Sequence, residues 1–136
     1  MTTARELMTP NPECIDEGST LQLAAQKLRD LGVGAVPICG QDGRLKGMIT
    51  DRDIVVGCVA EGRNPAEVEV TSAGSELVTI GADDDIGEAM ETLKNHQLKR
   101  LPVIDGHDLV GILTQADIAR DQPDRYVGDL IESLSE

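Results

Sequence analysis

Apolar residues Leu21, Ala24, Ala25 and Leu28 follow the i, i+3, i+4, i+7 spacing of an amphipathic helix. Ile86, Ala89, Met90 and Leu93 repeat that spacing 65 residues later. Ser19 is placed to cap the first helix and Gly32 to end it. Asp83, Asp84 and Asp85 put negative charge at the positive end of the second helix dipole. A short strand candidate precedes each helix, Cys14-Ile15 in one case and Val78-Thr79-Ile80 in the other. After each helix come two apolar runs separated by a turn. The runs are 35–38 and 45–49 around Gln41-Asp42-Gly43, then 101–104 and 109–113 around Asp105-Gly106. Asp-Gly between apolar runs predicts a hairpin. A second helix is expected to start near Asp51 to Asp53 and near Gln115 to Asp117. Each unit thus reads strand, helix, strand, strand, helix.

The resemblance between the two units extends to residue identities. Gly47-Met48-Ile49-Thr50-Asp51-Arg52-Asp53-Ile54 returns as Gly111-Ile112-Leu113-Thr114-Gln115-Ala116-Asp117-Ile118, and Val36-Pro37-Ile38 returns as Leu101-Pro102-Val103. Three blocks in the same order mark an internal duplication. A unit of about 60 residues buries too little surface to be comfortable alone, and two copies packed sheet against sheet would solve that. The expectation is an α+β protein of two tandem β-α-β-β-α repeats with pseudo-two-fold symmetry. The first repeat spans 1–62, a linker 63–74, the second repeat 75–122 and a C-terminal helix 123–136. The linker reading rests on the Gly, Asn, Pro and Glu content of the chain between Glu61 and Gly74.

Composition narrows the function classes. The chain has 136 residues, 40% of them hydrophobic, and a formal net charge of -13. Residues 1–68 carry 7 basic and 10 acidic side chains, whereas residues 69–136 carry 5 and 15. Such a field opposes a nucleic-acid backbone. With no Phe, no Trp and the single Tyr126, there are no stacking platforms for single strands either. An anionic ligand would need a local pocket that overrides the global charge. No apolar run approaches the length of a membrane span. The opening Met1-Thr2-Thr3-Ala4-Arg5-Glu6 lacks the build of a signal peptide, so a cytoplasmic protein is expected. Cys14, Cys39 and Cys58 lack CxxC spacing, and His96 and His107 have no helical histidine partner, so no metal centre is expected. No serine sits in a nucleophile elbow and the Asp83 turn lacks the features of an EF-hand, so the chain is not expected to be an enzyme.

The duplicated pattern resembles the CBS-domain pair, or Bateman module. The motif Gly-apolar-x-Thr-x-x-Asp occurs at both hairpin exits, Gly47 to Asp53 and Gly111 to Asp117, each preceded by an apolar-Pro-apolar strand. The likeness covers the chain from about Arg5 to Arg120. Pro37-Ile38-Cys39-Gly40 and Thr50-Asp51-Arg52-Asp53-Ile54-Val55 are similar to the stand-alone hypoxic-response type of bacterial CBS-pair protein. The resemblance implies a non-enzymatic regulatory module that binds an adenine nucleotide (AMP, ADP or ATP) in clefts between the repeats. It also implies a homodimer that signals in a stress response through its shape or through a separate protein partner.

By the same resemblance, Thr50, Asp53, Thr114 and Asp117 would hold ribose and phosphate. Their chemistry suits this: a carboxylate accepts two hydrogen bonds from a diol, and a threonine hydroxyl can donate to a phosphate oxygen. One cleft would join Thr114 and Asp117 to Val33, Gly34 and Ala35 around the adenine. The other would join Thr50 and Asp53 to Leu98 and the chain near Val78. Lys99, Arg100 and Arg52 are the phosphate candidates. The copies differ: Asp51-Arg52 stands against Gln115-Ala116, and Gly34-Ala35 against Lys99-Arg100. Thr50 and Asp53 would equally serve as helix caps, and the two roles are compatible. The alternative function is an interaction protein that binds no nucleotide. Cys14 and Cys39 lie on strands that a strand–helix–strand unit places side by side, within disulfide reach. They are the disulfide candidate, against the reading of two small buried hydrophobes.

Overall fold

The structure is a computed structural model that describes residues 1–74 and 77–121. The chain opens with a helical turn α1 (Ala4–Leu7) and strand β1 (Thr9–Pro10). The first repeat follows as β2 (Ile15–Asp16), α2 (Leu21–Leu31), β3 (Ala35–Cys39), β4 (Leu45–Thr50) and α3 (Asp51–Ile54). Helix α3 runs on into a π-helical turn, Val55–Val59, in which the Ala60 N–H reaches the Val55 carbonyl at 2.8 Å. The second repeat contains β5 (Ile80–Gly81), α4 (Ile86–His96), β6 (Arg100–Asp105), β7 (Asp108–Thr114) and α5 (Gln115–Ala119). Both repeats have the expected β-α-β-β-α order. The expected helix over 123–136 lies outside the described residues.

In each repeat the first strand runs parallel to the second, and the second pairs antiparallel with the third. The first sheet has the order β2-β3-β4; the second has β1-β7-β6-β5, with β1 added antiparallel to β7. Glycine at the hairpin turns takes positive φ, 78° at Gly43 and 65° at Gly106. Gly32 ends α2 in the left-handed conformation as expected, whereas Gln97 does the same for α4 without being glycine. The cap of α2 is Thr20, not Ser19: the Thr20 side chain accepts from Leu23 N–H, while the Ser19 carbonyl accepts from Val70 N–H. On α2 the buried face is Leu21, Ala24 and Leu28; Ala25 is exposed.

The repeat boundaries are staggered relative to those expected at 62 and 75. One compact unit is Glu13–Leu77, and the other joins Met1–Pro12 to the chain from Val78 onward. The stretch read as a linker completes the first core, where Val68 and Val70 are buried among Leu21, Ile38 and Ile49. In the second core Ala4, from the start of the chain, is buried with Ile86, Leu93 and Leu101. The backbone bonds match. Leu21 N–H donates to Val68 O and Ile86 N–H to Thr2 O, both at 2.8 Å; Val70 N–H donates to Ser19 O and Ala4 N–H to Asp84 O, at 2.9 and 3.0 Å. Each core is closed by the short segment that precedes the other repeat in sequence. The polar composition of 61–74 hid this, although the alternation Val68-Glu69-Val70 is the period-2 pattern of a half-buried extended segment.

Candidate functional site

The motif threonine and aspartate meet at the junction of β4 with α3 and again at that of β7 with α5. Both threonines are helix N-caps in extended conformation. Thr50 Oγ1 accepts from Asp53 N–H at 3.0 Å, and Asp53 Oδ2 accepts from Thr50 N–H at 3.0 Å. Thr114 Oγ1 accepts from Asp117 N–H at 3.1 Å, and Asp117 Oδ2 accepts from Thr114 N–H at 2.9 Å. These are reciprocal capping boxes, so the motif has a structural role in both repeats. The box also fixes one carboxylate oxygen of each aspartate, Oδ2, against the threonine N–H.

The surroundings of the two boxes differ. In the first repeat Ala35 is the register partner of Thr50, and Asp51 N–H donates to Gly34 O at 3.0 Å. In the second, Arg100 is the register partner of Thr114, and Gln115 N–H donates to Lys99 O at 3.0 Å. The strand ends beside the boxes are therefore uncharged in one repeat and doubly cationic in the other. Arg52, on α3, is exposed. Val33 is also exposed, whereas Leu98 and Val78 are half-buried against the second core. The structure thus brings Val33, Gly34 and Ala35 together at the Thr50 side of the first repeat, and Leu98, Lys99 and Arg100 together at the Thr114 side of the second.

Two residues not singled out by the sequence complete the second box. Arg120, three residues past Asp117, donates from Nη2 to Asp117 Oδ1. Asp117 is the one buried charged side chain among the described residues, 5% exposed. Among the described residues the buried Gln115 Oε1 has no hydrogen-bond partner, a costly state for an amide oxygen. The helical i, i+3 spacing of Asp117 and Arg120 was a usable signal. In the first repeat the position matching Arg120 is Val56, exposed.

Glycines of the motif serve different ends. A Cβ on Gly111 would stand 2.3 Å from Met8 Sδ and 3.0 Å from Thr9 O, so strand β1 can approach β7 only at a glycine. A Cβ on Gly47 would meet only Ile38 Cδ1, at 3.7 Å.

Cys14, Cys39 and Cys58 are free thiols. Asp16 on β2 is the register partner of Cys39 on β3, and Cys14 stands just before β2. Burial, then a hydrogen bond with the Cys14 thiol, push the Cys39 thiol up to about 12. The positions matching Cys14 and Cys39 in the second repeat are Thr79 and Ile104, so only the first repeat has a thiol pair.

Duplicated β-α-β-β-α units with a Thr-Asp box at each hairpin exit define the CBS domain. The family matches residues 4–58 and 68–124, and the chain belongs to it. Hypoxic response protein 1 of Mycobacterium tuberculosis is 42% identical over 135 residues, 98% of this chain and 94% of that protein. A crystal structure of Hypoxic Response Protein I with two coordinated zinc ions matches with a TM-score of 0.84 at 44% identity, over 90% of this chain and all of that one. The same fold occurs in CBSX2 in complex with AMP (TM-score 0.76, 21% identity, 88% of this chain and 95% of that one). It occurs also in the CBS pair of MJ0100 in complex with 5'-methylthioadenosine and S-adenosyl-L-methionine (TM-score 0.77, 22% identity, 88% and 94%). CBS-pair proteins commonly bind adenine nucleotides as regulatory modules and are generally not catalytic. Among the described residues no three His, Cys, Asp or Glu side chains come together to hold a metal ion. Nor is any helix among them long and apolar enough to cross a membrane.

Proposed function

We propose that this protein is a regulatory sensor whose Thr50–Asp53 and Thr114–Asp117 boxes each take the ribose of an adenine nucleotide, AMP, ADP or ATP. The observation that carries this reading is the repeated box. At both strand–helix junctions a hydroxyl and a carboxylate are held within one turn, beside a backbone strand end that can line a ligand. Lys99 and Arg100 supply the phosphate contacts and Arg52 a further one; Val33, Gly34, Ala35, Leu98 and Val78 offer apolar surface to the base. The nucleotide-bound structures of CBSX2 and MJ0100 support the ligand class. The exposed Val55, Val56 and Val59 on the last helix of the first repeat support association of two copies.

The test is calorimetric titration with AMP, ADP, ATP and S-adenosylmethionine, repeated on Asp53→Asn and Asp117→Asn. Asparagine keeps an acceptor for the cap and loses the charge, so a binding loss is not confused with helix fraying. A nucleotide that binds the parent protein and is weakened by either substitution supports the sensor. No heat and no thermal shift with any nucleotide at millimolar concentration overturns it, because a ligand at about 100 times its Kd adds roughly 2.7 kcal/mol.

The thiol pair favours a second reading, an interaction protein stabilised by a Cys14–Cys39 disulfide. Cys14 lies near enough to Cys39 to raise its thiol, and the two stand on or beside neighbouring strands. The bond would form as an external disulfide takes the electron pair and two protons leave the thiols. Mass spectrometry of unreduced, unfolded, thiol-blocked protein decides it: a mass two hydrogens lower with only Cys58 labelled supports the bond, and labels on all three cysteines overturn it.

A further inference from the structure

We propose that Arg120 makes the second-repeat box selective for phosphorylated nucleosides over bare ones. The inference rests on the nucleotide reading of that box. Asp117 has one carboxylate oxygen bound by the Thr114 N–H and the other by the Arg120 guanidinium. A ribose diol that docks on Asp117 therefore meets an occupied acceptor. The occupant is easily moved: the Arg120 side chain is 74% exposed, while that of Asp117 is 4% exposed. A bare nucleoside that displaces Arg120 takes its carboxylate and returns nothing to it. A nucleoside phosphate returns an anion, which a guanidinium binds through paired donors. The displaced side chain thus changes partner rather than losing one.

Two further observations agree. The buried Gln115 Oε1, without a hydrogen-bond partner among the described residues, belongs to the same helix start, and a hydroxyl or amino donor on a ligand would satisfy it. The first repeat carries Val56 and Asp51 at the positions of Arg120 and Gln115, so the argument from Arg120 concerns the second box.

The experiment compares AMP with adenosine by calorimetric titration, in the Asp53→Asn background that silences the first box, with and without Arg120→Ala. Circular dichroism confirms that each variant is folded, and Arg120→Lys is titrated alongside to keep a charge at the site. The expected result is a fall of about 10-fold or more in the AMP-to-adenosine affinity ratio for Arg120→Ala, since the phosphate loses a charge-assisted hydrogen bond. Arg120→Lys is expected to retain part of the preference. Adenosine is expected to bind Arg120→Ala at least as well as it binds the background protein. A ratio unchanged within about twofold overturns the role of Arg120 and leaves the nucleotide reading standing. Binding of neither compound to the unsubstituted protein overturns the nucleotide reading, and this inference with it.

Discussion

The two repeats are the same fold built around two different junctions. Their capping boxes agree to within 0.1 Å in both hydrogen bonds, 3.0 and 3.0 Å in the first repeat against 3.1 and 2.9 Å in the second. Yet the second box is flanked by Lys99, Arg100 and Arg120, and the first by Gly34, Ala35 and Val56. The first repeat instead holds the thiol pair and the exposed Val55, Val56 and Val59. The duplication preserved what the backbone requires and released what the surface does. The difference places cations beside one box, and a thiol pair and exposed valines in the other repeat. It also shows why a charge of -13 does not forbid a phosphate ligand: the second repeat lies in the more acidic half, but three cations flank its box in sequence, Lys99 and Arg100 before it and Arg120 after it.

The largest effect should come from breaking the exchange of closing segments. Val70 is fully buried in the first core. Val70→Asp places an unpaired carboxylate there and should cost more than about 3 kcal/mol, enough to unfold the first repeat in a urea titration. Thr71→Asp, one residue on and exposed, should change stability by less than about 0.5 kcal/mol. If both behave alike, residues 68–72 are a linker after all.

The motif glycines should separate next. Gly111→Ala forces Met8 and the Thr9 carbonyl away from β7 and should cost roughly 1–3 kcal/mol. Gly47→Ala has room and should be close to neutral. Adding Met8→Ala to Gly111→Ala should recover part of the loss, since the shortest clash is with Met8 Sδ. A double-mutant cycle of the two by chemical denaturation measures that recovery.

The capping boxes should differ less. Asp53→Ala removes a cap acceptor and should cost about 1 kcal/mol. Asp117→Ala removes the same acceptor from a buried position and also releases Arg120, so about 2 kcal/mol is expected. Thermal melts of the two variants side by side give the ordering, and equal losses would show that Arg120 adds nothing to the stability of the second box.

Much of this asymmetry was legible in the sequence, and the illegible part has a physical pattern. Elements with their own periodicity were readable: α2 and α4 from apolar spacing, the hairpins from Asp-Gly turns, both boxes from Thr-x-x-Asp. So was the contrast of Gly34-Ala35 with Lys99-Arg100. What failed depended on partners distant in sequence. Residues 61–74 have the composition of a linker, and only the sheet and helix of the first repeat give Val68 and Val70 something to bury against. The helix starts at Leu21, whose N–H is held by the Val68 carbonyl, so the residue before it, Thr20, is the cap. The sequence shows Arg120 only as an i, i+3 neighbour of Asp117; the weight of that pair comes from the burial of Asp117, a tertiary property.

The smallest effect concerns the thiol pair and is confined to the first repeat. Cys39 is held up at about 12, first by burial and then by Cys14, against an ordinary thiol value of 9.0. In the unfolded chain the thiol ionises near pH 9, whereas in the folded chain it stays protonated until about pH 12. Between these values the unfolded state binds fewer protons, so stability falls as pH rises. The contribution is fully present below pH 9 and is lost on passing through the folded value. One proton can give at most roughly 1.4 kcal/mol per pH unit, and solvent that reaches the end of β3 reduces this to a fraction of that figure. Melts of reduced protein from pH 8 to 10.5 should therefore decline more steeply for the parent than for Cys39→Ala, while Ile104→Ala, at the matching position of the second repeat, should keep the parent slope at a lower melting temperature. A Cys39→Ala slope equal to the parent's would mean that water reaches the pair freely, and the contrast between the repeats would then rest on their boxes alone.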